Sequence, residues 1–542
     1  MPEQHQSRSQ AAGAAPSGSC TQTAVVSFEE LRGALAAWAE TVHETHISLV
    51  YLRGEDAFKL KKPVDLGFLD FSSAERRRVA CEAEVQLNGR LSKDVYHGVL
   101  PVTRDRNGNI RPGGEGPVID WVVHMRRLRD ENRADLLLER GELAHDDIST
   151  MAATISEFHR KARCDAATQH YGEPSVVEDN VKENFEQTRS SIHRYLPGPR
   201  AKELEAWQRE FLRTNGETLS GRAAAGHSRD GHGDLRLEHF YLEPTGMNVI
   251  DCIEFNERFR FGDTCADLAF LAMDLRWRGR PDLSEHLLAQ YASDSGDFGL
   301  YRVIDFYESY RAHVRAKVAA MIAEDDSFEE ETRRSAAAEA RRYYALALAE
   351  KRRGNSVAPA IIAVGGIIGA GKSTLANALQ AELCVPVVST DRVRKQMQGI
   401  PEDTNQRASA FEGQYRPART ARVYEAVLEA AEAIIASGRT VILDASFRES
   451  EMRLRARDLA RQHGARFCFV EARASHDTCR SRLVERARRG KGPSDASVEL
   501  FDVLAAGWQP PRELSPGEHV VVDTERPPAQ VAHGLLSRLS LS

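Results

Sequence analysis

Two rhythms of apolar and polar positions divide the chain. From Phe28, LRGALAAWAE has helical spacing, and ISLVYLRGEDAFKLKKPV follows as two strand-like runs around the turn Arg53-Gly54-Glu55-Asp56. The pattern then predicts a helix from about Ser73 to Leu91 and strands at Val99–Val102 and Val118–Met125, an α+β stretch. From Leu136 to about Asn215 apolar residues recur three and four apart, which predicts helices. A loop rich in Gly, Asp and His (Gly226–Asp234) interrupts them. Short strands at Phe240–Leu242 and Val249–Ile253 come next, then helices again, ending in an Ala/Glu/Arg-rich stretch over about 302–352.

The second rhythm starts after Gly354-Asn355-Ser356, which reads as a linker. IIAVGG, VPVVS, TVILDA, RFCFVEA and HVVVD are short, nearly continuous apolar runs separated by helical segments. Runs apolar on both faces suit a buried parallel sheet flanked by helices, the α/β alternation of a doubly wound domain. The expected organisation is a disordered tail over 1–24, poor in large apolar residues, a first domain over 25–353 and a second over 357–542. No internal repeat is evident.

Composition narrows the class. At 542 residues the chain exceeds a single core, and its 42% hydrophobic and 28% charged residues are those of a globular protein. A net charge of −7 excludes a general polyanion binder. The eight cysteines are scattered, with no C-x-x-C pair and no zinc-like spacing, which fits reduced thiols. The N-terminus has no apolar h-region and no run of about 18 apolar residues occurs, so the expectation is a cytoplasmic protein with no membrane partner.

The most specific chemistry lies in GGIIGAGKST, where Gly366-x4-Gly371-Lys372-Ser373 fits the P-loop between a strand and a helix. The nucleotide-binding set is Gly366, Gly369, Ala370, Gly371, Lys372, Ser373 and Thr374. Glycines let successive N–H groups point at phosphate oxygens, Lys372 reaches the β and γ phosphates, and the Ser373 hydroxyl holds Mg²⁺. The expected cofactors are therefore ATP and Mg²⁺. In VVSTDRVRK, Asp391 sits at the mouth of the site as a carboxylate for an acceptor hydroxyl or for Mg²⁺, the plainer role being a helix N-cap by Thr390 or Asp391. Asp444 ends the strand TVILDA as a second Mg²⁺ carboxylate, or as a strand-end turn residue. In the basic helix from Arg473 to Lys491, Arg482 and Arg486 share one face, followed by Arg488 and Arg489. They suit a mobile lid that neutralises phosphoryl charge, or a solvated basic face with Glu485 as partner.

Residues 358–540 resemble the P-loop kinases that include gluconate kinase, the kinase part of polynucleotide kinase and the zeta toxins. In the first half, HGDLRLEHFYL from His232 resembles the catalytic loop of aminoglycoside phosphotransferases and related eukaryotic-type kinases. That resemblance implies Asp234 as the base and His239 at a Mg²⁺ position where the family has Asn, an imidazole being a poorer partner for Mg²⁺. It also implies Asp251 of NVIDCIEF as the metal-binding Asp, with Glu254 as an alternative. AFKLKKP resembles the strand with the phosphate-contacting lysine, Lys59 or Lys61. The following helix offers Glu84, or Glu82, as the lysine's ion-pair partner. Asp263 and Asp267 of GDTCADLAFL match positions that are mainly structural.

As a whole the chain resembles a bacterial family in which an aminoglycoside phosphotransferase-like, protein-kinase-like α+β domain is fused to an α/β P-loop kinase domain with a parallel sheet. The function expected is an ATP-dependent phosphotransferase with two kinase-like domains acting on small-molecule hydroxyl groups. The alternative is a nucleotide-regulated protein with a pseudokinase first half and an active P-loop second half. No aromatic platform interleaves the basic helix, so nucleic-acid ends rank behind small molecules as acceptors. The sequence leaves the oligomeric state open.

Overall fold

The computed structural model describes residues 26–67, 69–350, 359–399, 417–489 and 501–539. The expected tail over 1–24 and the Gly354-Asn355-Ser356 linker lie outside the described residues. The chain divides into two compact units, residues 1–82 with 97–127 and residues 83–96 with 128–542. The division thus falls inside the first half, and the helical part of that half shares the second unit with the P-loop half.

In the first unit, Ser27 caps the helix Phe28–Trp38, its hydroxyl accepting from the Glu30 N–H at 3.1 Å. Leu31 and Leu35 of that helix are buried with Tyr51, Phe58, Leu60, Val102 and Val122. Six strands follow: β1 (Thr41–Glu44), β2 (Ser48–Arg53), β3 (Asp56–Lys61), β4 (Tyr96–Arg104), β5 (Ile110–Pro112) and β6 (Val118–Arg126). They form one sheet in the order β1-β2-β3-β6-β4-β5. The expected turn is there, with Arg53 opposite Asp56 in the β2–β3 hairpin. Strands β1 and β5 go beyond the pattern. All four residues of β1 are exposed, so it has no buried face to create an alternation, and β5 is three residues ending in Pro112 at the sheet edge. The buried Arg77 fixes the helix Ala74–Asn88 to β6 through Asp120, donating from Nε and Nη2 at 2.9 and 2.8 Å.

The second unit opens with a layer of helices, among them His145–Lys161, Pro174–Thr188, Thr264–Trp277, Pro281–Ser295, Ile304–Glu324 and Glu330–Glu350. The helix Gly198–Ala224 runs past the expected end and is kinked at Asn215, whose side-chain amide donates to the Phe211 carbonyl. Between these helices, β7 (Ser228–Asp230) pairs with β10 (Phe261–Asp263), and β8 (Phe240–Glu243) with β9 (Gly246–Val249). The expected strand Val249–Ile253 is thus corrected: it ends at Val249. Beyond it the backbone leaves the hairpin, the Ile250 N–H donating to the His239 carbonyl and the Ile253 N–H to the His232 carbonyl.

The five strands of the P-loop half are β11 (Ala360–Gly365), β12 (Val387–Ser389), β13 (Val441–Asp444), β14 (Arg466–Arg473) and β15 (His519–Asp523). They form a parallel sheet in the order β12-β13-β11-β14-β15. Both faces are buried with a period of two. Ile361 and Ala363 point into one core, whereas Ile362 and Val364 point into another with Leu375, Leu379 and Leu535 of the covering helices. The first of these cores is continuous with the helical layer, joining Val388, Val427 and Ile434 to Leu283, Leu287 and Tyr301. Across this junction the buried Arg439 donates to Glu285 at 2.9 Å and to Asp305 at 2.8 Å. The seven described cysteines are free, and no helix among the described residues is long and apolar enough to cross a membrane.

Removing one partner of a buried ion pair strands the others. Arg439→Ala should therefore cost about 3 kcal/mol in urea unfolding followed by circular dichroism. Arg302→Ala at the exposed pair with Glu432, 3.7 Å apart, should cost less than about 1 kcal/mol.

Candidate active site

The P-loop follows β11, the strand at which the sheet order reverses, and so lies at the carboxyl ends of the strands where open α/β sheets bind ligands. Gly366, Gly369 and Gly371 have φ of 142°, 79° and 84°. A Cβ on Gly366 would lie 2.5 Å from the Ala472 carbonyl oxygen, and one on Gly369 would lie 2.6 Å from that of Cys479. Only glycine fits this path. Gly371 caps the helix Lys372–Leu383, so the first-turn N–H groups of Lys372, Ser373 and Thr374 have no partner inside the helix and carry the positive end of its dipole. Ala370 is buried, and its carbonyl accepts from the Thr524 hydroxyl at 2.6 Å.

Around this cradle stand the charged groups. Lys372 Nζ donates to the Ile367 carbonyl at 3.0 Å, which folds the side chain over the loop. Burial lowers its pKa, opposed by the carboxylates of Asp444 and Asp391. Asp444, at the end of β13, is buried and accepts from Ser373 Oγ at 2.7 Å. Its pKa is raised by burial, against the pull of Ser373 and Lys372. A hydroxyl and a carboxylate 2.7 Å apart form a hard oxygen set, and they fit Mg²⁺. Asp391 lies in the first turn of the helix Thr390–Met397, whose cap is Ser389, so neither Asp391 nor Thr390 is the N-cap. Its Oδ1 accepts from Arg394 at 2.6 Å.

Arg482 rests against the loop, with Nη2 donating to the Thr524 carbonyl at 2.6 Å and Nη1 3.2 Å from where a Gly371 Cβ would lie. Arg486 acts on Lys372 by charge. Arg488 is exposed, and Lys491 lies outside the described residues.

In the first half, the loop from His232 is held from beneath. Asp267 accepts from the His232 and Gly233 N–H groups at 2.7 and 2.8 Å and lies 3.2 Å from His159 Nε2, while His159 Nδ1 lies 2.8 Å from the Tyr291 hydroxyl. Full burial drops His232 to about 4, so its ring is neutral. Its Nε2 lies 3.0 Å from the Ile250 carbonyl. Asp234 accepts two hydrogen bonds from Arg236, at 3.0 and 2.9 Å. Burial pushes the Asp234 carboxyl up, but Arg236 and His239 outweigh it and hold it far below the usual range. His239 Nδ1 lies 2.7 Å from the Asp234 carbonyl, and its Nε2 is 3.7 Å from Asp251. Asp251 has φ of 67°, a strained conformation that turns the chain just beyond β9. Glu238 Oε1 lies 3.7 Å from the same Nε2, so two carboxylates flank the imidazole; that nitrogen keeps the set from being the all-oxygen shell that Mg²⁺ prefers, and the fit here is poor.

The lysine and glutamate alternatives differ in burial. Lys61 is fully buried, its ammonium 5.0 Å from the Phe71 ring, and Lys59 is half-buried. Glu84 is fully buried, whereas Glu82 is exposed and paired with Arg78. Glu254 is half-buried. Two contributors escaped the sequence reading. Arg236 stands two residues after Asp234, a position that a search for charge partners would have reached. Thr524, about 150 residues from the loop it braces, carries no local signal.

Burial raises the Asp267 carboxyl, but the hydrogen bond from His159 and the nearby imidazoles bring it down to about 2. A carboxylate depressed in the folded state stabilises above its unfolded pKa and loses that effect as pH falls toward the folded one. Asp267→Asn should therefore lower stability by about 2 kcal/mol near pH 7 and flatten the loss of stability between about pH 4 and pH 2, read by urea unfolding across pH.

A family model described as an AAA domain matches residues 361–511. The chain is 33% identical over 465 residues to the uncharacterized protein Rv2004c of Mycobacterium tuberculosis, covering 86% of this chain and 89% of that one. Among solved structures, a gluconokinase from Sinorhizobium meliloti is 21% identical over 34% of this chain and 92% of its own, with a TM-score of 0.24. A choline kinase from Cryptosporidium parvum is 10% identical over 58% of this chain and 89% of its own, with a TM-score of 0.36. With a third of the aligned residues identical over 86% of this chain and 89% of that protein, the chain belongs to the family of Rv2004c.

Proposed function

We propose that the chain is an ATP-dependent phosphotransferase, with transfer to a small-molecule hydroxyl at the P-loop of its second half. The observation that carries this reading is the convergence of Lys372, Ser373, Asp444 and a glycine-shaped backbone at one end of a parallel sheet. The first-turn N–H groups and Lys372 bind and orient the triphosphate. Ser373 and Asp444 would hold Mg²⁺, which would supply charge neutralisation on the phosphate oxygens. Asp391, oriented by Arg394, accepts the proton of the acceptor hydroxyl. Arg482 and Arg486 add positive charge beside the loop.

A second reading concerns the first half, taken as a kinase-like domain of the aminoglycoside phosphotransferase type. Its base-position residue, Asp234, is neutralised by a two-pronged pair with Arg236, and its metal position holds an imidazole. The imidazole favours a nucleotide-responsive module over a second catalytic centre; an arginine pair is common to both halves, since Asp391 bonds Arg394.

Lys372→Ala should reduce ATP turnover by the full chain by about 100-fold or more, measured by ADP release with a panel of hydroxyl acceptors. Unchanged turnover in that variant would exclude the P-loop as the centre. Asp234→Asn should leave turnover within about twofold; a loss as large as that of Lys372→Ala would place catalysis in the first half as well.

Acid should weaken Mg²⁺ binding at the P-loop at a higher pH than for an ordinary carboxylate, because Asp444 binds the ion only when ionised and its pKa is raised. Titrating Mg²⁺ in the presence of ATP across pH tests this, and Asp444→Asn should remove the dependence.

A further inference from the structure

In the first unit, three strands that neighbour one another in the sheet bring together side chains far apart in sequence. Asp56 opens β3, His124 lies on β6 opposite Phe58, and His97 lies on β4, with β6 between β3 and β4. Asp56 is two residues from Phe58 and so shares its face of the sheet. His124 Nε2 lies 2.8 Å from Asp56 Oδ1, and the two imidazole rings are 4.9 Å apart. One ligand atom from each of the three residues lies within 4.8 Å of the other two.

The middle imidazole is held by packing as well as by Asp56. It stacks on Phe58 at 4.8 Å with an interplanar angle of 4°, and Phe58 meets Trp38 edge-on at 4.9 Å. His124 is thus a pre-set ligand at the rim of the apolar core. His97 is exposed and Asp56 is half-buried, so both have room to turn toward a shared centre.

We propose that Asp56, His97 and His124 form a binding site for a divalent transition-metal ion of the zinc class. Ligand atoms at about 2.0–2.1 Å from a tetrahedral ion are roughly 3.3 Å apart, longer than the 2.8 Å His124–Asp56 contact and inside the 4.8 Å within which all three ligand atoms lie. Two imidazoles and one carboxylate select zinc, cobalt, nickel or copper over magnesium or calcium, whose shells are built from oxygen. Three protein ligands leave a fourth position to water, on the exposed side where His97 stands. An ion here clips β3, β6 and β4 together, within the sheet whose strand β3 also carries Lys59 and Lys61.

The test is titration of the metal-stripped full chain with Co²⁺, followed by visible absorption, with Zn²⁺ as competitor. The wild type should take up one equivalent that zinc displaces, and His97→Ala and Asp56→Asn should each weaken that equivalent by at least about tenfold. His97→Ala is the decisive variant because its side chain is exposed, and unchanged circular dichroism and urea unfolding will verify its fold. His124→Ala also loses the stack on Phe58, so it is read only beside the other two. Absence of a displaceable equivalent in the wild type, or an equivalent of equal affinity in folded His97→Ala, would overturn the proposal.

Discussion

The architecture of the second half turns on how closely a bare backbone approaches two carbonyl oxygens. Where the loop leaves β11, a methyl group on Gly366 or Gly369 would lie within 2.6 Å of the Ala472 or Cys479 oxygen. Those oxygens belong to β14 and to the helix His476–Arg489, so the loop is seated by the next strand of the sheet and the helix that follows it. Thr524 closes the seat from a third side, bonding both the Ala370 and Arg473 carbonyls. The parallel sheet and its two buried faces hold this turn in place, and the turn leaves the first N–H groups of a helix open to an anion.

The charges around the cradle are poised against their own burial. Desolvation pulls Lys372 toward its neutral form and Asp444 toward its protonated form, and each partly restores the other's charge. The triphosphate and Mg²⁺ proposed for this site would meet both needs, since phosphates would favour the ammonium and the ion the carboxylate. The first half shows the opposite arrangement. There Asp234 already has its counter-charge in Arg236, so its carboxylate is satisfied without ligand. Asp444 and Asp234 are thus in different electrostatic states, whereas Asp391, the base proposed for the P-loop half, is paired with Arg394 as Asp234 is with Arg236.

Legibility in the sequence followed burial. The five runs of the P-loop half were readable because each is apolar on both faces, and Ile361 and Ile362 enter different cores. The β2–β3 hairpin was readable from its turn. Strand β1 was not, because an exposed edge strand carries no alternation, and the end of β9 was missed because IDCI is apolar enough to pass for strand. There the backbone hydrogen bonds of Ile250 and Ile253 serve the His232 loop instead of a ladder, a tertiary demand with no local mark. At the site, the motif placed Lys372 and Ser373, and strand ends placed Asp444. The pairing of Ser373 with Asp444 and the brace from Thr524 span about 70 and 150 residues, distances at which spacing carries no information.

The P-loop half and the helical layer share one apolar core and the buried Arg439 network, so the site stands on a foundation drawn from both halves of the chain. The grip of the loop on a magnesium nucleotide is the central claim, and calorimetric titration of the full chain with MgATP measures it directly. The account predicts a saturable heat that vanishes in Lys372→Ala. A wild-type chain that gives no heat, or a variant that binds as well as the wild type, would contradict it.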